Sequence, residues 1–145
     1  VFLSKDLFPM GSLDKDTEGL LILTNDGELA HRLLSPRHHV EKKYFVHLDK
    51  DLDSTDVEKM WEGLDIGEKR LTSPAVLEIL APREGLLTIT EGKFHQVKRM
   101  FAKLGKTVTY LKRVKMGTLV LDESLAVGEW RFLTEEEIRN LASSG

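Results

Sequence analysis

The chain has 145 residues, with 21 Lys and Arg against 24 Asp and Glu, a formal net charge of −3 at pH 7 and no cysteine. Its 41% hydrophobic and 31% charged residues are globular proportions, which excludes a disordered or fibrous chain, and its overall charge excludes a uniformly basic nucleic-acid coat. Without cysteine there is no disulfide framework, thiolate nucleophile or cysteine-ligated metal, so an intracellular, cytoplasmic protein is expected.

No apolar run approaches the roughly 18 residues of a membrane span, and no signal peptide opens the chain. The four prolines never cluster, so residues 1–145 are expected to form one domain. In chain order, Gly19 to Thr24 is a short apolar run bounded by polar turn residues and predicts a buried strand. Asn25 or Asp26 then caps a helix carrying Leu29, Ala30, Leu33 and Leu34, which stops at Ser35-Pro36 because the residue before proline avoids helical geometry. Val40 to Leu48, rich in Val, Tyr and Phe, predicts a strand. Thr55 and Glu58 have capping-box spacing for a helix reaching Gly63. Ala75 to Leu80 and Leu86 to Thr90 read as a hairpin around a turn at Pro82 to Gly85. From His95 to Leu104, Val97, Met100, Phe101 and Leu104 share one helical stripe, and Gly105 supplies the stop. Val108 to Val114 and Glu129 to Leu133 predict two further strands, and Thr134 with Glu137 starts a last short helix. The fold class expected is α+β, a mixed, largely antiparallel sheet flanked by helices.

The near-neutral total conceals a strong asymmetry. Between Lys93 and Leu121 stand Lys93, Lys98, Arg99, Lys103, Lys106, Lys112, Arg113 and Lys115 with no Asp or Glu, so this stretch carries +8 and the remainder −11. A second cluster, Arg32, Arg37, His38, His39, Lys42, Lys43 and His47, encloses Tyr44 and Phe45. Basic side chains neutralise phosphates and interleaved aromatics stack on unpaired bases, although the same clustering also serves as a solvated face on an ordinary enzyme.

The segment from Gly11 to Gly19 packs Asp14, Asp16 and Glu18 between two glycines just before the first strand. It is either a functional loop or a turn built from residues that favour turns. Lys98 borders the apolar stripe of its helix and reaches inward from there, whereas Arg99 and Lys103 point away from the core, where phosphate contact is the natural role. His95 and Gln96 sit in the first turn, where helix-start hydrogen bonding is the ordinary role, and for His95 it is expected rather than metal binding. No histidine pair has metal-ligand spacing, and neither a serine elbow nor a glycine-rich phosphate loop is present, so no metal and no cofactor are expected.

At this point three separated motifs resemble a known family. They are the run from Gly11 to Gly27, the Glu41-Lys42-Lys43-Tyr44 segment, and Glu91-Gly92-Lys93-Phe94-His95-Gln96-Val97-Lys98-Arg99-Met100-Phe101. Together with Gly128-Glu129-Trp130-Arg131 and Leu133 to Glu137, they resemble the ribosomal RNA pseudouridine synthases of the small-subunit type. The resemblance implies that family's catalytic fold without its first strand. It also implies isomerisation of a specific uridine to pseudouridine in ribosomal RNA, with a flipped-out base and no cofactor. Asp14 maps to the catalytic aspartate, Tyr44 to the tyrosine that stacks on the target base, and Lys98 to the basic partner that keeps Asp14 ionised in a desolvated pocket. Arg37, Lys42, Lys43, Lys93, Arg99, Lys103, Lys112 and Arg113 are the candidate RNA-binding residues.

Two departures stand out: Ser12 occupies the position of a family arginine that helps hold the RNA, and the chain opens on Val1, upstream of which an S4-like RNA-binding domain and the first catalytic strand are expected. Ser35-Pro36-Arg37-His38-His39, Ser73 to Glu78 and the His95-Gln96-Val97-Lys98 form lean towards small-subunit (16S) modifiers rather than large-subunit ones. The partner expected is therefore 16S ribosomal RNA in an assembling small subunit, met by a monomer. The alternatives are a large-subunit enzyme, an inactive RNA-binding or ribosome-assembly module, and a small-molecule enzyme using Asp14 as acid or base.

Overall fold

The computed structural model describes residues 8–9, 13, 16–24, 28, 31, 40–93, 95–126, 128–129 and 131–143. The Val, Tyr and Phe of the second cluster form strand β4 (Lys42–Leu48), which lies at the centre of a six-stranded sheet. Its antiparallel neighbours are β6 (Glu84–Ile89) and β7 (Val108–Met116). β5 (Val76–Ala81) closes the far edge as a hairpin partner of β6, turning tightly at Pro82 and Arg83. β2 (Glu18–Gly19) joins β7 in parallel, and β8 (Leu119–Val120) folds back on β7 after Gly117, whose φ of 59° suits the reversal. A separate antiparallel pair links β1 (Phe8–Pro9) with β3 (Leu23–Thr24). The sheet is thus mixed and largely antiparallel, as the sequence predicts.

Three helices are described along their length. Helix α1 (Ser54–Glu62) buries Met60 against β5, and α2 (Gln96–Lys103) buries Val97, Met100 and Phe101 against the sheet. Helix α3 (Glu135–Ser143) packs on β8 through Leu141. The main core lies between α1, α2 and one face of the sheet, where alternate residues Val46, Leu48, Leu77, Leu87 and Leu111 are buried. A smaller cluster of Leu20, Ile22, Val40, Met116, Leu119 and Leu141 seals the β2–β8 end.

Four local expectations change. The run from Gly19 to Thr24 is not one strand: β2 and β3 flank residues 20–22, because Gly19 pairs with β7 while Leu23 and Thr24 pair with β1. Helix α1 is capped by Asp53 rather than Thr55, and Asp53 and Asp56 exchange side-chain bonds to each other's backbone N–H at 3.1 and 3.0 Å. Residues 129 and 131–133 form no strand. There Arg131 forks between Asp122 (2.8 Å) and Glu137 (2.8 Å), so side chains rather than a ladder hold the segment. His95, finally, makes no side-chain cap on α2. The Thr134–Glu137 capping box does form, with bonds of 2.8 and 3.1 Å. Of the helix expected after Asn25, Glu28 and His31 are described and helical, and its remaining positions lie outside the described residues.

Candidate active site

Alternation along β4 divides the second basic cluster between two faces. Lys42, Tyr44 and Val46 share the core face, with Tyr44 opposite Leu87 and packed against the main core, while Lys43, Phe45 and His47 point to the other side. Tyr44 therefore stands where a strand side chain meets the helix layer.

Side-chain hydrogen bonds among Glu91, Lys93 and Gln96 set the start of the helix that carries Lys98. Glu91 Oε2 accepts from the Ser73 N–H (2.7 Å) and from Gln96 Nε2 (3.0 Å), while Gln96 Oε1 accepts from the Lys93 N–H (2.9 Å). His95 adopts a left-handed conformation, φ 49° and ψ 37°, which turns the chain sharply into α2. Gln96 is buried by this network. The polar residues of the motif thus build a rigid helix start, and Lys98 projects from its first turn.

Lys98 Nζ donates to Asp16 Oδ1, clamping the loop before β2 onto α2. The Lys98 ammonium holds the Asp16 carboxyl below the usual aspartate range, first through this hydrogen bond. The same loop is fixed from below. Gly19, at φ 106°, lies so close to β7 that a Cβ would sit 2.1 Å from the Arg113 carbonyl oxygen. Arg113 is itself buried, and its Nε donates to the Leu20 carbonyl at 2.8 Å. Burial, reinforced by repulsion from Arg113 and opposed by Glu91, pushes the Lys42 ammonium below the ordinary lysine range. Thr17 Oγ1 is buried without a hydrogen-bond partner among the described residues.

The structure thus brings Lys98 together with the loop around Asp16, and sets Lys42 beside Gly92 on the sheet face it shares with Tyr44. Asp14 and Arg37 lie outside the described residues. Lys93 and Lys103 are exposed, and Lys43 and Lys112 face the opposite side of the sheet from Tyr44. Two expectations are corrected. Arg113 does not point to solvent but is an interior group on Leu20, because its β7 position alternates onto the core face. Arg99 does not simply point away from the fold either: its Nη2 donates to the Ile66 carbonyl and to Glu68 (3.2 Å), fastening the 66–68 loop. The helix-start hydrogen bonding expected of the first turn is made by Gln96. Sequence reasoning gave no separate role to Asp16 or Glu91, and no signal existed for Asp16 beyond its place in an acidic loop.

The family model for RNA pseudouridylate synthases matches residues 2–103. The chain belongs to that RNA pseudouridylate synthase family. Members similar to it include an uncharacterized RNA pseudouridine synthase of Bacillus subtilis, 53% identical over 92% of this chain and 58% of that protein. Ribosomal small subunit pseudouridine synthase A of Escherichia coli is 48% identical over 93% of this chain and 59% of that protein. A crystal structure of a pseudouridylate synthase superposes with a TM-score of 0.92 at 50% identity, covering 94% of this chain and 60% of that one. The chain therefore spans about three-fifths of the curated relatives it matches. The α+β architecture is that of a pseudouridylate synthase, and no described helix is long and apolar enough to cross a membrane.

Proposed function

We propose that this chain carries the isomerase centre of a ribosomal RNA pseudouridine synthase of the small-subunit type. It would convert one uridine of 16S RNA to pseudouridine in the cytoplasm, acting as a monomer on an assembling small subunit. In the reaction the N1–C1′ glycosidic bond breaks, the uracil turns, C5 bonds to C1′, the C5 proton leaves and N1 gains one. Asp14 is the reacting carboxylate, Tyr44 stacks on the flipped base, and Lys98 holds the loop that carries Asp14 in place. The observation that supports this reading best is the Lys98–Asp16 contact, which ties the acidic loop to the helix of the basic motif two residues from Asp14. Lys42, with its ammonium penalised by burial, would gain from a phosphate or a uracil carbonyl arriving beside it.

A tritium-release assay on 16S RNA labelled at uridine C5, run with the full-length protein, tests the assignment. Asp14→Ala should abolish release, and undiminished release in that variant would refute the role given to Asp14. Ser12 supports a second reading, an inactive RNA-binding module, since it replaces the arginine expected to hold the RNA. That reading calls for salt-sensitive RNA binding without tritium release, and release by the unaltered protein rules it out.

A further inference from the structure

All three described helices pack on the Tyr44 side of the sheet, where Met60, Met100 and Leu141 are buried. On the opposite face the cross-strand register sets Glu84, His47 and Tyr110 in one row, Leu86, Phe45 and Lys112 in the next, and Thr88, Lys43 and Lys115 in a third. Over this face runs an open groove of about 570 Å³ lined by Lys43, Phe45, Tyr110, Lys112, Lys115 and Glu123, together with the apolar Leu86, Val114 and Val120.

Two features decide what fits there. The first is the aromatic group. Phe45, His47 and Tyr110 stand edge to face with centroids 5.1 to 6.1 Å apart, so each ring holds the orientation of its neighbours on a rigid sheet. The second is charge. None of Lys43, Lys112 and Lys115 is ion-paired among the described residues; of the acids around them Glu84 is held by His47 (3.2 Å) and Glu18 by the Tyr110 hydroxyl (2.9 Å), which leaves Glu123 as the one exposed carboxylate in the lining against three ammonium groups. A protein partner would favour a lysine-poor patch, because lysine is depleted at such interfaces. Ordered rings interleaved with free ammonium groups match the alternation of base and phosphate in an unpaired nucleic-acid strand.

The geometry points to a second RNA subsite on the sheet face opposite Tyr44, where an unpaired segment of RNA lies across β4 and β7. Its bases rest on Phe45 and Tyr110, and its phosphates meet Lys43, Lys112 and Lys115. This rests on the RNA-modifying reading above but concerns a surface that reading does not use. The subsite would grip RNA flanking the target while the uridine is presented on the other face.

The test uses the full-length protein and an oligouridylate of about ten nucleotides carrying 4-thiouridine, a length within the range that single-strand-binding folds cover. Photocrosslinks should map to Phe45 or Tyr110. Phe45→Ser should weaken binding about ten-fold by removing one stacked base, and Phe45→Tyr should retain it. The double variant Lys112→Glu, Lys115→Glu should flatten the slope of log affinity against log salt by about 1.4, two single-strand phosphate contacts. Thermal unfolding identifies any variant that fails to fold. Crosslinks confined to the Tyr44 side would overturn the proposal, as would affinity and slope unchanged in every folded variant. Protection of Lys112 and Lys115 from acetylation in RNA-free protein would also overturn it, since a protein segment would then occupy the face. Tritium release on 16S RNA is scored separately. If binding responds as expected but uridine is not isomerised, the catalytic reading fails and the subsite stands; if release is seen while the variants bind normally, the subsite alone fails.

Discussion

Lys98 and Lys42 illustrate how one residue type serves opposite ends in the same site. Lys98 leaves the first turn of α2 partly exposed and spends its charge on Asp16. Lys98→Met should therefore lower kcat for tritium release about 100-fold or more, the scale of losing a positioned ionic group in catalysis, while Lys98→Arg recovers part of it; equal rates in the Met variant would refute the clamp. Lys42 lies in a more buried setting beside Gly92, where a Cβ would meet its Nζ at 3.2 Å. Its folded-state pKa is depressed below 10.5, so between that lowered value and 10.5 the unfolded chain binds more protons than the folded one. Stability contributed at this position accordingly rises with pH through that window. Urea unfolding should show the difference between wild type and Lys42→Met shifting in favour of wild type as pH rises towards 10.5. A pH-independent difference would contradict the burial of its charge.

Among the elements, β2 has the least room for change. Two residues long, it holds the acidic loop to β7 only because Gly19 takes a φ of 106° with no Cβ. Gly19→Ala should cost about 2–3 kcal/mol or more in chemical denaturation, since strained backbone and a backbone clash act together. Loop-borne activity should fall with it. Helix α3 depends instead on charge. The Arg131 guanidinium holds the Glu137 carboxyl down at about 2 against an ordinary 4.5. A depressed carboxylate contributes stability that is present above its unfolded value and lost as pH falls through the folded one. Amide exchange in α3 should therefore accelerate selectively between pH 4.5 and about 2, and Glu137→Gln should abolish that dependence. The same contacts account for residues 129 and 131–133 forming no strand where one is expected from Glu129 to Leu133. Its alternating residues suited a ladder, but nothing in a local pattern reveals that Asp122, nine positions away, would bind Arg131. The β5–β6 hairpin was legible because its turn chemistry and both strands lie within 14 consecutive residues.

For the whole molecule the +8 block is not one surface. Lys106 is withdrawn into a buried ion pair with Asp56 (3.0 Å), Arg113 lies inside on Leu20, Arg99 is fastened to Glu68, and Lys98 holds Asp16. Lys93 and Lys103 remain exposed, while Lys112 and Lys115 belong to the far face of the sheet. The two kinds of lysine should separate experimentally. Lys103→Glu should reduce the salt slope of RNA binding by about 1, as for one phosphate contact. Lys106→Met should leave that slope unchanged and instead cost about 3–5 kcal/mol, because it strands the Asp56 carboxylate in the interior.

The sequence by itself determined the α+β class, the hairpin, the stripe of α2, the capping box of α3 and the family, since each is written in local periodicity or in contiguous motifs. Only the tertiary structure decided that Asp16 meets Lys98, that Arg113 faces inward and that the basic strands divide their lysines between two faces. Those outcomes depend on register and on contacts between residues as many as 93 positions apart. Composition sums charge along the chain, whereas a pleated sheet assigns it to opposite sides residue by residue.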